Sequence, residues 1–174
     1  MVHIKKLKII MISIILAVIA LIPNNVLADG PSYDITNYDM DAYIQEDGTI
    51  HIDESITYYF SSSANGLTRD LRYFYKTNKD SMEPNSARYQ ATGIENITVA
   101  VTNPANITTN FTKASNAEKG DNGVYTVDAV NADRTDGYDI MVYSPISSNN
   151  FQTVHYSYDI TDAVVQYNDM SEIY

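Results

Sequence analysis

The chain is 174 residues long, carries a formal net charge of −11 and contains no cysteine. A chain this acidic repels phosphate backbones, which argues against nucleic-acid binding, and charge alone does not draw it to anionic lipid. Without cysteine there are no disulfides, no thiol catalysis, no thiolate zinc site and no lipid-modified cysteine anchor.

The N-terminus has the layout of a secretory signal. Lys5, Lys6 and Lys8 precede an apolar run from Ile9 to Ile22, followed by Pro23 and the small-residue site Val26-Leu27-Ala28 before Asp29. As a helix that run would extend about 21 Å at ~1.5 Å per residue, short of a hydrocarbon core about 30 Å thick. Residues 1–28 are therefore read as a signal peptide, cleaved between Ala28 and Asp29. Residues 29–174 form one domain, long enough to bury a core. No second apolar run follows residue 28.

The exported part reads as strands. Tyr38, Met40, Ala42 and Ile44 alternate with polar residues up to Gln45. Asp47-Gly48 is a two-residue hairpin signal, because glycine accepts the positive φ that primed turns need. Alternation resumes with Ile50, Ile52, Glu54, Ile56, Tyr58 and Phe60 on one face, and Thr49, His51, Asp53, Ser55, Thr57 and Tyr59 on the other.

Ser61 to Asn65 reads as a polar turn ended by Gly66, and Leu67 to Tyr75 as a short strand or an irregular crossing. Lys76 to Arg88 reads as loop. Period-two patterns return at Ile97 to Val101, Tyr125 to Ala129, Tyr138 to Val142 and Val154 to Ile160. Asn103 to Asn122 is polar apart from Ile107 to Phe111. Thr161 to Tyr167 fits a capped short helix or a strand equally well. Seven or more short strands separated by turn signals, with no internal repeat, predict an all-β fold. The expected form is an antiparallel β-sandwich, immunoglobulin-like in general architecture, preceded by the signal-peptide helix.

Glu54 stands out because it lies on the apolar face between Ile52 and Ile56. A buried carboxylate is costly unless paired or protonated. Arg69, in Asn65-Gly66-Leu67-Thr68-Arg69-Asp70-Leu71-Arg72, is the expected partner in a structural ion pair. Charge is uneven: Asp29 to Thr68 holds eight acids and no Lys or Arg, while Arg69 to Arg88 holds five bases against three acids. The basic stretch reads as a neutraliser of acidic neighbours in the same fold, with a partner-binding loop as the alternative.

His51 and His155 fall on polar faces and read as solvated imidazoles. They could share a metal only on adjacent strands, with Asp53 or Asp159 as third ligand. Asp133 to Asp139 has oxygens at calcium-like spacing but lacks the closing Glu, so it reads as a turn entering a strand. Asn96, Asn106 and Asn110 open Asn-x-Thr sequons. No nucleophile elbow, His-Glu-x-x-His motif or phosphate loop occurs. Fifteen Tyr and no Trp suit half-buried strand positions. No catalytic residue, cofactor or metal site is assigned.

Tyr38 to Phe60, followed by Asn65-Gly66-Leu67-Thr68-Arg69-Asp70-Leu71, resembles the extracellular N-terminal domain of predicted bacterial membrane proteins in the family DUF2207. That family shows a strand, an acidic-Asp-Gly turn, a strand with an inward Glu, and then Asn-Gly-Ile-x-Arg-Asp-Ile. Glu54 and Arg69 fall on its Glu and Arg. Val154 to Ile160 looks like its Tyr-rich strand, and Asp169 to Tyr174 like its Asp-x-x-Glu-Leu-Tyr-Trp segment. Members usually continue into further ectodomain and transmembrane helices. The resemblance therefore implies an ectodomain truncated before a membrane-spanning region, touching the membrane only there or through the N-terminal segment. It implies no reaction.

The expected function is non-catalytic: a structural or interaction role at the extracellular face of the cell membrane, or as a secreted domain. The partner is a cell-envelope protein or glycan of unknown identity. A glycan- or peptide-binding surface module is the alternative. A secreted hydrolase is a further one, and would need two carboxylates about 5–10 Å apart in an open cleft.

Overall fold

The computed structural model describes residues 31–75, 91–132, 135–166 and 171–173. The chain divides into Met1–Gly30 and Pro31–Tyr174. The signal-peptide reading, the loop at 76–88 and half of the segment from Asp169 to Tyr174 (Asp169, Met170 and Tyr174) fall outside the described residues.

The second unit is an all-β sandwich. Its strands are β1 (Tyr33–Ile44), β2 (Ile50–Phe60), β3 (Ala64–Tyr75), β4 (Gly93–Thr102), β5 (Thr108–Asn110), β6 (Thr112–Lys113), β7 (Val124–Ala132), β8 (Thr135–Ile146), β9 (Asn150–Thr161), β10 (Val164–Gln166) and β11 (Ser171–Ile173). One sheet has the order β1-β2-β9-β4-β5 and the other β3-β8-β7-β6, while β10 and β11 pair separately. Pairing is antiparallel except between β6 and β7. No helix among the described residues is long and apolar enough to cross a membrane.

The alternation in β2 translates directly into burial. Ile50, Ile52, Glu54, Ile56, Tyr58 and Phe60 are all buried, and the residues between them are exposed or half-buried. On β9, Gln152, Val154, Tyr156 and Tyr158 do the same. The β1–β2 connection is a three-residue loop rather than the expected two-residue turn: Gln45 N donates to Thr49 O, and Gly48 N to Gln45 O. Gly48 takes φ +85°, the left-handed residue that follows a type I turn in such loops.

β3 is a continuous strand beginning at Ala64, inside the stretch that reads as a turn in sequence. Its first residues look polar because Asn65 and Thr68 face solvent, while Ala64, Leu67 and Leu71 are buried. Among the described residues, 161–166 contain no helix, and Val164–Gln166 is strand.

Contacts between the sheets fix which strand covers which. Glu54 on β2 meets Arg69 on β3, and the Tyr125 hydroxyl on β7 donates to Ile97 O on β4 at 2.8 Å. The four-stranded sheet therefore lies over β2 and β4, with β9 between them, and stops short of β1. All of Tyr33–Ile44 is exposed, although its apolar residues alternate with polar ones on either side of a bulge between Ile35 and Asn37.

Candidate functional site

Among the described residues, Glu54 is the one charged side chain that is fully buried. It is 1% exposed and sits between Ile52 and Ile56 on the inner face of β2. Arg69 projects inward from β3 to meet it. Arg69 Nε donates to Glu54 Oε1 at 2.8 Å and Nη2 to Oε2 at 3.0 Å, a bidentate fork. The Tyr38 hydroxyl on β1 adds a third bond, donating to Oε2 at 2.7 Å. Arg69 Nη1 also donates to Asp70 O. The hydrogen bond to Glu54 holds the Arg69 guanidinium still more firmly protonated, against the opposing effect of burial.

The surrounding motif makes local sense. Gly66 lies where β3 and β8 shift register, and a Cβ there would sit 1.9 Å from Val142 O. Leu67 and Leu71 fill the core on either side of Arg69. Outward-facing Arg72 bonds to Asp139 and Tyr138 O across the strand. Tyr38 was not assigned to this cluster from sequence. The hairpin register could have found it, because Met40 opposes Glu54 and Tyr38 is then the diagonal neighbour.

Tyrosines close the remaining sides. Burial pushes the Tyr58 and Tyr158 hydroxyls up to about 12. Burial, then the bond to Glu54, raises Tyr38. Tyr156, also raised by burial, is 1% exposed and its hydroxyl has no hydrogen-bond partner among the described residues. A buried hydroxyl without a partner forfeits its hydration for nothing, at a cost of roughly 1–3 kcal/mol. Tyr156→Phe is therefore expected to raise unfolding free energy by about 1 kcal/mol in urea titration. A loss of stability would mean that the hydroxyl is satisfied after all.

The outer face of the same sheet carries both histidines on adjacent strands, yet not together. His51 opposes Asp159, and His155 opposes Ser55. His51 Nδ1 lies 2.6 Å from Asp159 Oδ1, and Asn96 donates to the other carboxylate oxygen. His155 Nδ1 lies 2.7 Å from Ser55 Oγ, and its Nε2 lies 2.8 Å from Thr102 Oγ1. Each imidazole is held by its own partners, and no metal-competent cluster forms among the described residues.

The two imidazoles are shifted in opposite directions. Asp159 raises His51 above 6.5, and burial lowers His155 below it. Asn96 and then His51 lower Asp159. A base raised in the fold stabilises fully below its unfolded value and loses that contribution as pH climbs through the folded one. An acid lowered in the fold stabilises above its unfolded value and loses that as pH falls through the folded one. The His51–Asp159 pair thus stabilises most between about pH 4 and 6.5. Protonation of His155 opposes folding on the acid side of 6.5. Two-dimensional NMR titration should find the His51 imidazole losing its proton at higher pH than His155. The reverse order would contradict this geometry.

Other candidates disperse. Thr135 to Asp139 lies in β8 rather than in an ion-binding loop, and Asp133 and Arg134 lie outside the described residues. Asn96, Asn106 and Asn110 are exposed, and the Asn96 amide is engaged by Asp159. Asp53 and Glu54 are consecutive strand residues, so they point to opposite faces and cannot flank one scissile bond. The tightest acidic site in the domain is the Glu54 carboxylate, whose two oxygens are already occupied by Arg69 and Tyr38.

Comparison with known proteins agrees with the resemblance carried by the Glu54 and Arg69 motifs. The family described as "Predicted membrane protein (DUF2207) N-terminal domain" matches residues 34–174. No curated protein and no solved structure matches the chain.

Proposed function

The chain belongs to this family of predicted membrane proteins, and from that membership we propose that residues 29–174 form a non-catalytic interaction domain on the extracellular side of a membrane-anchored protein. The observation that carries the non-catalytic part is the state of Glu54. A general acid or nucleophile must reach substrate, but this carboxylate is sealed inside the sandwich with both oxygens bonded. The basic, apolar and small-residue order of residues 5–28 supports export.

Orientation can be tested cleanly because the chain has no cysteine. Ala105→Cys places a single thiol on an exposed turn between β4 and β5. A membrane-impermeant maleimide should label it in intact cells. Labelling only after lysis would reverse the orientation. Turnover of a glycan or peptide substrate that disappears in Glu54→Gln would overturn the non-catalytic reading.

A further inference from the structure

The Glu54–Arg69–Tyr38 cluster and the two histidine clusters have their partners within the sandwich, but the edge of β1 does not. It is an edge strand, paired only with β2, and every residue from Tyr33 to Ile44 is exposed. Its inner row is apolar: Tyr33 is 42% exposed, Ile35 58%, Tyr38 46%, Met40 53% and Ile44 57%. Its outer row holds Asp34, Asp39 and Asp41 with no Lys or Arg, and Asp41 stands directly opposite Asp53. Like charges placed opposite one another repel. Among the described residues, the backbone of β1 takes its hydrogen bonds from β2 alone, leaving the outer edge of the ladder open. The neighbouring edge strand β3 is less open, since Asp70 O already accepts from Arg69.

Sheets normally guard such an edge, here with a bulge after Ile35 and a row of aspartates, yet an open edge with an apolar row is also the template for strand addition. We propose that β1 is a docking edge for an extended peptide segment of a partner protein, one that alternates apolar and basic residues. This deepens the interaction role proposed above and rests on it. The added strand would hydrogen-bond to the free edge of β1. Its apolar side chains would lie beside Tyr33, Ile35, Tyr38, Met40 and Ile44, and its Lys or Arg side chains beside Asp34, Asp39 and Asp41. From Tyr38 to Ile44 the period of two matches one row to each face, and the bulge between Ile35 and Asn37 shifts both rows by one residue before it. A second copy of this chain fits poorly, because β1 against β1 sets two acidic rows side by side between partners of net charge −11.

The probe is a synthetic peptide of about ten residues, the length of a long strand, alternating Val with Lys, and its counterpart alternating Val with Glu. The protein is the exported chain. Hydrogen exchange should show the Lys peptide protecting the amides of Tyr33–Ile44, with affinity falling severalfold as salt is raised from low to physiological strength. The double variant Asp39→Lys, Asp41→Lys alters only exposed side chains and should exchange the preference, losing the Lys peptide and gaining the Glu peptide. N-methylation of alternate peptide amides should abolish binding to both proteins. Equal binding of the two peptides, protection outside β1, or no binding would overturn the docking edge. Sedimentation of the free domain as a dimer with β1 protected would assign the edge to a second copy instead. None of these failures touches the orientation or turnover results, so the broader interaction role stands or falls separately.

Discussion

Arg69→Ala is expected to destabilise the domain by about 3–5 kcal/mol in urea unfolding, the usual cost of leaving one partner of a buried pair unmatched. Glu54 would remain at the centre of the sandwich with its side chain fully enclosed, bonded only to the Tyr38 hydroxyl. A single neutral donor does not replace a bidentate guanidinium.

The control is the double variant Glu54→Leu, Arg69→Met. Replacing both charges with apolar groups of similar size is often neutral or stabilising, so it should recover most of the loss. The lost bond from Tyr38 costs little, since that hydroxyl lies on the exposed strand and can be rehydrated. An Arg69→Ala variant as stable as the parent would show that the pair contributes nothing. A double variant as unstable as the single would show that Arg69 acts through packing rather than charge.

Gly66→Ala is expected to be nearly as damaging, at about 2–3 kcal/mol, because the added methyl group overpacks a backbone contact. The Cβ would fall 1.9 Å from Val142 O and 3.0 Å from Val142 C, and backbone atoms cannot swing aside as a side-chain tip can. Relief requires parting β3 from β8 at Leu67 and Val142, which oppose each other and are both buried. Asn65→Ala, at an exposed neighbour, should stay within about 0.5 kcal/mol of the parent. Thermal unfolding of the two side by side separates a clash at residue 66 from a general sensitivity of this strand start. Equal melting temperatures would remove the steric account. In this structure the Asn-Gly-Leu-Thr-Arg-Asp run is explained position by position: a close approach at Gly66, core at Leu67 and Leu71, and a charge aimed at Glu54 from Arg69.

Much of this centre was legible in advance. A strand alternates faces every residue, so the parity of β2 alone put Glu54 inward, and the scarcity of nearby bases pointed to Arg69. The parity of β9 likewise put Tyr156 inside and His155 outside. These are local facts, and a sheet's period of two carries them with no knowledge of the partner strand. Tyr38 escaped because its role depends on the diagonal across a hairpin, and the loop proved one residue longer than the Asp-Gly signal suggests. β3 was read as beginning later because Asn65, Gly66 and Thr68 resemble a turn, and only the close approach to Val142 explains the glycine.

Fold class, the inward carboxylate and its cationic partner were readable from the residues alone, because strand parity and the cost of an unpaired buried charge are written along the chain. The sequence could not determine which apolar row would be covered. From Tyr38 to Ile44 β1 alternates as β2 does, yet β2 is core and β1 is bare. That difference comes from tertiary structure: the four-stranded sheet lies over β2, β9 and β4 and does not reach β1, so that strand overhangs. Burial is decided by what lies opposite, and alternation states only that something could.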